Sequence, residues 1–73
     1  MAQIKAISGS SLNPTLRTIC ESLQADKEPS LSYRVRGTDL LWVRKQKKLF
    51  YGDEGKSISC ESIEAGTKQL GLA

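Results

Sequence analysis

Histidine is absent from the 73-residue chain. That gap removes the most common general base together with the Ser-His and Cys-His nucleophilic pairs, which sets the chain against the common hydrolases. Cysteine is nearly absent too. Cys20 and Cys60 are the only two, too few to staple a secreted mini-protein. Without an imidazole, a zinc site would need both thiols and two carboxylates, a poor ligand set. Both cysteines are therefore expected reduced, in or near the core, where a free thiol behaves as a small hydrophobe. No run of about 18 apolar residues exists, so no membrane span is expected. The opening "MAQIKAISGSS" lacks the continuous apolar stretch of a signal peptide, and the chain is expected in a cytoplasm.

What is present suits one soluble domain. At 38% hydrophobic and 26% charged residues, the chain is too apolar for a disordered tail. A domain this small buries only about 60% of its unfolded surface, so the placement of each apolar residue matters. Residues 1–12 read as a flexible or strand-like arm, and residues 13–73 as a single α+β binding domain.

Asn13-Pro14 opens the first element. Asn is a favoured N-cap, and Pro suits the first helical position, where its missing N–H would have had no partner. Leu16, Ile19, Cys20 and Leu23 then share one face, and Asp26-Lys27-Glu28-Pro29 ends the helix, predicting it over about 14–25. Alternation takes over in Leu31-Ser32-Tyr33-Arg34-Val35-Arg36, the mark of a strand with one buried face. Gly37-Thr38-Asp39 reads as a turn, Leu40 to Lys45 as a second strand, and Lys48 to Tyr51 as a third, closed by Gly52-Asp53-Glu54-Gly55. Ser59 reads as the N-cap of a last helix, with Ile58 and Ile63 as its hydrophobic staple. Cys60, Ile63, Thr67 and Leu70 would share its inner face, with Gly71 at its end. Gly66 inside that helix costs up to about 1 kcal/mol relative to Ala. The expected fold is a three-stranded antiparallel meander with two helices, in the order α-β-β-β-α.

Charge is concentrated in the sheet. Residues 31–51 carry six cations, Arg34, Arg36, Arg44, Lys45, Lys47 and Lys48, against Asp39 alone, a net of +5. Residues 52–73 carry Asp53, Glu54, Glu61 and Glu64 against Lys56 and Lys68, a net of −2. With Leu31, Tyr33, Val35, Leu41 and Val43 turned to the helices, an open face would present Arg34, Arg36, Trp42, Arg44 and Leu40. The third strand can turn either Leu49 and Tyr51 or Phe50 inward. Two readings of Trp42 stand side by side: a packing residue, or an exposed aromatic anchor ringed by arginines, since Trp and Arg are enriched at hot spots and an aromatic among cations suits base stacking. The bend "RKQKKLFY" also has two readings. Lysines blunt exposed sheet edges, but arginine adds a planar fork suited to carboxylate or phosphate. The candidate partner-binding set is Arg34, Arg36, Trp42, Arg44, Lys45, Lys47 and Lys48.

An enzyme is not expected. Asp39, Asp53 and Glu54 lie in or beside glycine-bearing turns, where acids are usually solvated. Ser8-Gly9-Ser10-Ser11 lacks the spaced Gly-Lys-Ser/Thr ending of a phosphate loop. No cofactor, metal or small-molecule substrate is implied.

The element order and length resemble double-stranded RNA-binding domains, and small toxin domains of like topology. In the first family a lysine cluster at the start of the last helix grips phosphates. The corresponding Lys56-Ser57-Ile58-Ser59-Cys60-Glu61 has one lysine and a glutamate, and the histidines both families use are missing. DNA or RNA binding would therefore fall to the sheet and the 44–48 bend. The acidic end would instead suit a protein partner with charges of both signs. In length, basic character and lack of histidine the chain resembles small phage-encoded transcription regulators that bind host RNA polymerase. That resemblance implies host RNA polymerase as partner, host cytoplasm as location, and inhibition of initiation with altered termination.

Overall fold

The computed structural model describes residues 3–72. Five strands form one antiparallel sheet in consecutive order: β1 Lys5–Ala6, β2 Ser30–Val35, β3 Thr38–Val43, β4 Lys48–Tyr51 and β5 Lys56–Ser59. Helix α1, Pro14–Ala25, lies between β1 and β2 in the chain, and α2, Ile63–Gln69, follows β5. The α+β class holds, but the sheet has five strands where the sequence suggested three. Two are short additions at the edges. Lys5 and Ala6 of the N-terminal arm pair with Arg34 and Tyr33. Lys56–Ser59 pairs with Lys48–Tyr51, and with Ile58 as its one apolar residue this strand shows no alternation to read.

The first helix begins as its cap chemistry dictates. Asn13 Oδ1 accepts the Leu16 N–H at 2.9 Å, with Pro14 in the first turn. It ends where Lys27 takes a left-handed φ of 60°, while the Lys27 and Glu28 N–H groups bond back to Gln24 and Leu23, a Schellman closure. The last helix starts later than expected. Ser62, not Ser59, is the N-cap, accepting the Ala65 N–H at 3.2 Å. Ser59 is spent in β5, so the expected Ile58–Ile63 staple does not form as a cap, although both residues pack into one cluster.

The larger correction concerns the faces. Arg36 and Gly37 both have positive φ, 50° and 78°, and form a two-residue turn of the kind that suits right-twisted hairpins. Val35 is therefore paired with Thr38, Tyr33 with Leu40 and Leu31 with Trp42. Paired residues project to the same side, so Leu31, Tyr33 and Val35 share a face with Leu40 and Trp42, not with Leu41 and Val43. Leu41 and Val43 pack with Leu12, Leu16, Cys20 and Leu23 under α1, joined by Phe50. On the opposite side Val35, Leu40, Trp42, Leu49 and Cys60 pack with Tyr33, Tyr51, Ile58 and with Ile63 and Leu70 of α2. The ambiguity of β4 is thus resolved both ways, since each of its faces meets a helix. Asp39 to Val43 is buried throughout, as a central strand covered on two sides must be. The Ser8–Ser11 segment of the arm folds into a single 3-10 turn, with Ser8 Oγ 2.9 Å from Ser10 Oγ.

Candidate interaction surface

No open basic sheet face survives this arrangement, because α1 covers one side and α2 the other. Trp42 is 6% exposed, in the cluster under α2. It is a packing residue and cannot serve as an exposed anchor. Leu40, expected beside it on the open face, is fully buried.

The remaining candidates separate into two ends of the sheet. Arg34 and Arg36 lie at the β2–β3 turn, whereas Arg44 to Lys47 form the β3–β4 connection and Lys48 opens β4. Between them runs β3, whose six residues span about 17 Å from Thr38 to Val43. The seven candidates are therefore not one surface.

At the first end Arg34 is already engaged. Its Nε donates to Asp39 Oδ1 at 2.7 Å and its terminal guanidinium nitrogen to the Ser11 carbonyl at 2.8 Å. Asp39, 9% exposed, also accepts the Asn13 N–H on Oδ2 at 2.7 Å. Asn13 in turn donates its side-chain amide to the Gly52 carbonyl. The group ties the entry of α1 to three strands' worth of sheet, and Arg34 has a structural task. Arg36 is exposed at the tip of its turn.

The second end keeps the cations free. Arg44, Lys45, Gln46 and Lys47 form a four-residue loop in which the Lys47 N–H reaches the Arg44 carbonyl at 3.2 Å and Lys47 takes a φ of 52°. Two side chains brace it. The Gln46 amide donates to both oxygens of Glu28, at 3.0 and 2.9 Å. The Lys47 ammonium lies 3.2 Å from Glu61, an exposed pair worth at most about 1 kcal/mol. The Lys47 carbonyl accepts the Cys60 N–H at 3.0 Å, fastening the loop to the end of β5. Arg44, Lys45 and Lys48 are exposed and make no ion pair among the described residues. Lys48 pairs with Val43 and Ser59 and so projects on the α1 side of the sheet. Gln46 is not in the candidate set. Its bracing role depends on Glu28, 18 positions away, for which a single sequence carries no signal.

Beside the loop, Gln46, Lys47, Ser59, Cys60, Glu61, Ala65 and Gln69 line an open hollow of about 440 Å³. Burial pushes the Cys60 thiol above its ordinary value. The neighbouring Glu61 carboxylate adds to the rise, against a backbone hydrogen bond at Ser62. A thiol held protonated in this way is a poor nucleophile. Among the described residues no group of three His, Cys, Asp or Glu side chains is placed to hold a metal ion, and no helix is long and apolar enough to cross a membrane. The loop backbone is held, while the Arg44, Lys45 and Lys48 side chains stay exposed beside it.

Compared with family models, curated proteins and solved structures, the chain matches none of them.

Proposed function

We propose that the protein is a non-enzymatic docking module that engages an acidic surface of a protein partner through the β3–β4 end of its sheet. The partner that the chain's resemblance suggests is host RNA polymerase, with inhibition of initiation and altered termination as the outcome. The observation that carries the docking reading is the contrast within the +5 segment. Arg34 is consumed by Asp39, whereas Arg44, Lys45 and Lys48 make no ion pair among the described residues, on or beside a loop braced by Gln46, Lys47 and the Cys60 N–H. A braced loop presents its charges at low entropic cost on binding.

Two features favour a protein over a nucleic acid as partner. The burial of Trp42 removes the aromatic that the sequence offered as a stacking platform among the cations. The carboxylates of Glu28 and Glu61 sit among the cations, which weakens the loop's field toward a polyanion but suits a surface of mixed charge.

The test uses the triple change Arg44→Glu, Lys45→Glu and Lys48→Glu. Wild type should bind purified, nuclease-treated polymerase and alter transcription from a promoter template. The triple variant should keep its fold and lose both effects. Polymerase left untouched by wild type, together with a shift of naked DNA or RNA in a gel, would reject the protein partner in favour of nucleic acid. In that case log affinity should fall with log salt by about 0.9 per phosphate contact on duplex DNA.

A further inference from the structure

The β5 edge of the sheet is unpaired, and its hydrogen-bonding pattern can be read from its neighbour. The Cys60 N–H donates to Lys47, so in the β4–β5 register the hydrogen-bonded pairs are Cys60 with Lys47, Ile58 with Leu49 and Lys56 with Tyr51. Ser57 and Ser59 therefore turn both their N–H and C=O groups away from β4. Four backbone groups lie along one exposed edge, and among the described residues nothing bonds to them. The edge carries no Pro and no bulge, and the two residues concerned are small and exposed. Such an edge is a template for a further strand.

We infer that the strand it accepts is β5 of a second copy of this chain, paired antiparallel about a two-fold axis through Ile58. In that register Ser57 lies opposite Ser59 of the second copy, and Ser59 opposite its Ser57. All four outward groups of each chain are then satisfied, in four inter-chain hydrogen bonds. Shifting by two residues in either direction breaks this match. One shift brings Gly55, whose N–H is already given to the Gly52 carbonyl. The other brings Glu61, beyond the end of β5.

Side chains and helices fit the same axis. Ile58, half-buried on the α2 side, meets Ile58 of the second copy in a close, non-hydrogen-bonded pair with Cα atoms about 4.5 Å apart. Lys56 falls opposite the uncharged Cys60 of the second copy. No two like charges face each other. Helix α2 sits over β4, with Gly66 close-packed on Leu49. The two β4 strands would be three strand spacings apart, about 14 Å. That leaves room for two helices about 10–12 Å across, side by side without collision. The paired edges are short, so the contact falls among the small, transient interfaces rather than the obligate ones. The inference is independent of the docking function, since the cationic loop lies at the end of the sheet and its edge alone is used here.

Sedimentation equilibrium on the full chain, up to about 1 mM, tests it. The average mass should rise with concentration from 8.0 kDa toward twice that value. Ser57→Pro should hold the mass at the monomer value while leaving the circular dichroism and melting unchanged, because this N–H faces outward and Pro is tolerated on an edge strand. Ile58→Cys should form an inter-chain disulfide on mild oxidation, since the two residues face each other at the axis, whereas Ser59→Cys should not. A wild-type mass that stays at 8.0 kDa throughout would overturn the inference. So would a dimer that survives Ser57→Pro, or an Ile58→Cys chain that cross-links no faster than Ser59→Cys.

Discussion

Replacing Gly66 with Ala sets two physical effects against each other, and the structure decides the sign. Helix propensity alone favours the change, since Ala in a helix interior is better than Gly by about 0.8–1.0 kcal/mol. But α2 approaches the sheet at this residue. A methyl group at Gly66 would lie 2.6 Å from Leu49 Cδ2 and 2.8 Å from Cys60 Sγ, where ordinary contact is about 3.5–4.0 Å. Neither neighbour can withdraw easily: Leu49 is 0% and Cys60 7% exposed. Overpacking of this kind costs about 1–3 kcal/mol, and contact with two immobile side chains places it in the upper part of that range. The net expectation is a loss of roughly 1–2 kcal/mol, from a total near 5 kcal/mol for a chain so small. At about 4–8 °C per kcal/mol for domains of this size, Tm should fall by roughly 5–15 °C.

Urea titration followed by the fluorescence of the single, buried Trp42 is the direct assay. The midpoint should fall while the slope stays constant, since the same surface is exposed on unfolding. A second variant locates the cause. In a Cys60→Ala background the Sγ contact is gone, so Gly66→Ala should cost less there, with a coupling of at least about 0.5 kcal/mol. If Gly66→Ala melts at or above wild type, α2 does not sit on Leu49 and Cys60, and the cluster on that side of the sheet is wrongly drawn.

How far the fold could be read in advance depended on whether a signal was local. Asn13-Pro14 carries its own capping chemistry, and α1 begins at Pro14 as that chemistry requires. The three inner strands were legible from alternation in Leu31–Val35 and from the turn residues around them. The faces were not, for two reasons. Leu40-Leu41-Trp42-Val43 is a continuous apolar run, the pattern of a strand buried on both sides, and reading it as alternating left half of it in solvent. The turn residues Gly37-Thr38-Asp39 also suggest a bend one residue later than the Arg36-Gly37 turn of the structure, and a one-residue slip exchanges every side chain between faces. Both patterns mislead only for a sheet taken to have one covered side. The same assumption created the open basic face, and its loss removes Trp42 and Arg34 from the candidate site while leaving the 44–48 loop, which was legible from charge alone. The pairing of Arg34 with Asp39 depends on the register across that turn, so a wrong register hid it.

The remaining predictions address separate parts of the molecule. Leu16→Ala, at a fully buried position under α1, should cost about 2–5 kcal/mol, and Trp42→Ala about 3–5 kcal/mol; native-like melting of either would contradict the two-sided core. Asp39→Ala leaves the Asn13 N–H and Arg34 without their acceptor and should lower stability by about 1–3 kcal/mol; an unchanged urea midpoint would sink the structural role given to Arg34. The Cys60 thiol, raised by burial and Glu61, contributes stability that is fully present below the unfolded thiol value of about 8.5 and is lost as pH rises through the folded value. Wild type should thus lose more Tm than Cys60→Ala between about pH 8 and 10, and parallel curves would reject the assignment. The last prediction concerns Arg36, whose φ of 50° places a long side chain in the left-handed region. That conformation costs a non-glycine residue about 1–2 kcal/mol, and Asn tolerates it better because its short amide bonds locally. Asn-Gly is moreover the favoured pair for this turn. Arg36→Asn should therefore stabilise the fold by about 0.5–1 kcal/mol, read as a higher urea midpoint at constant slope. It should also leave partner binding unchanged, because Arg36 stands a full strand length from Arg44. Lost binding in a stabilised Arg36→Asn chain would return this end of the sheet to the docking surface, and an unchanged or lowered midpoint would overturn the turn geometry on which the two faces of the sheet depend.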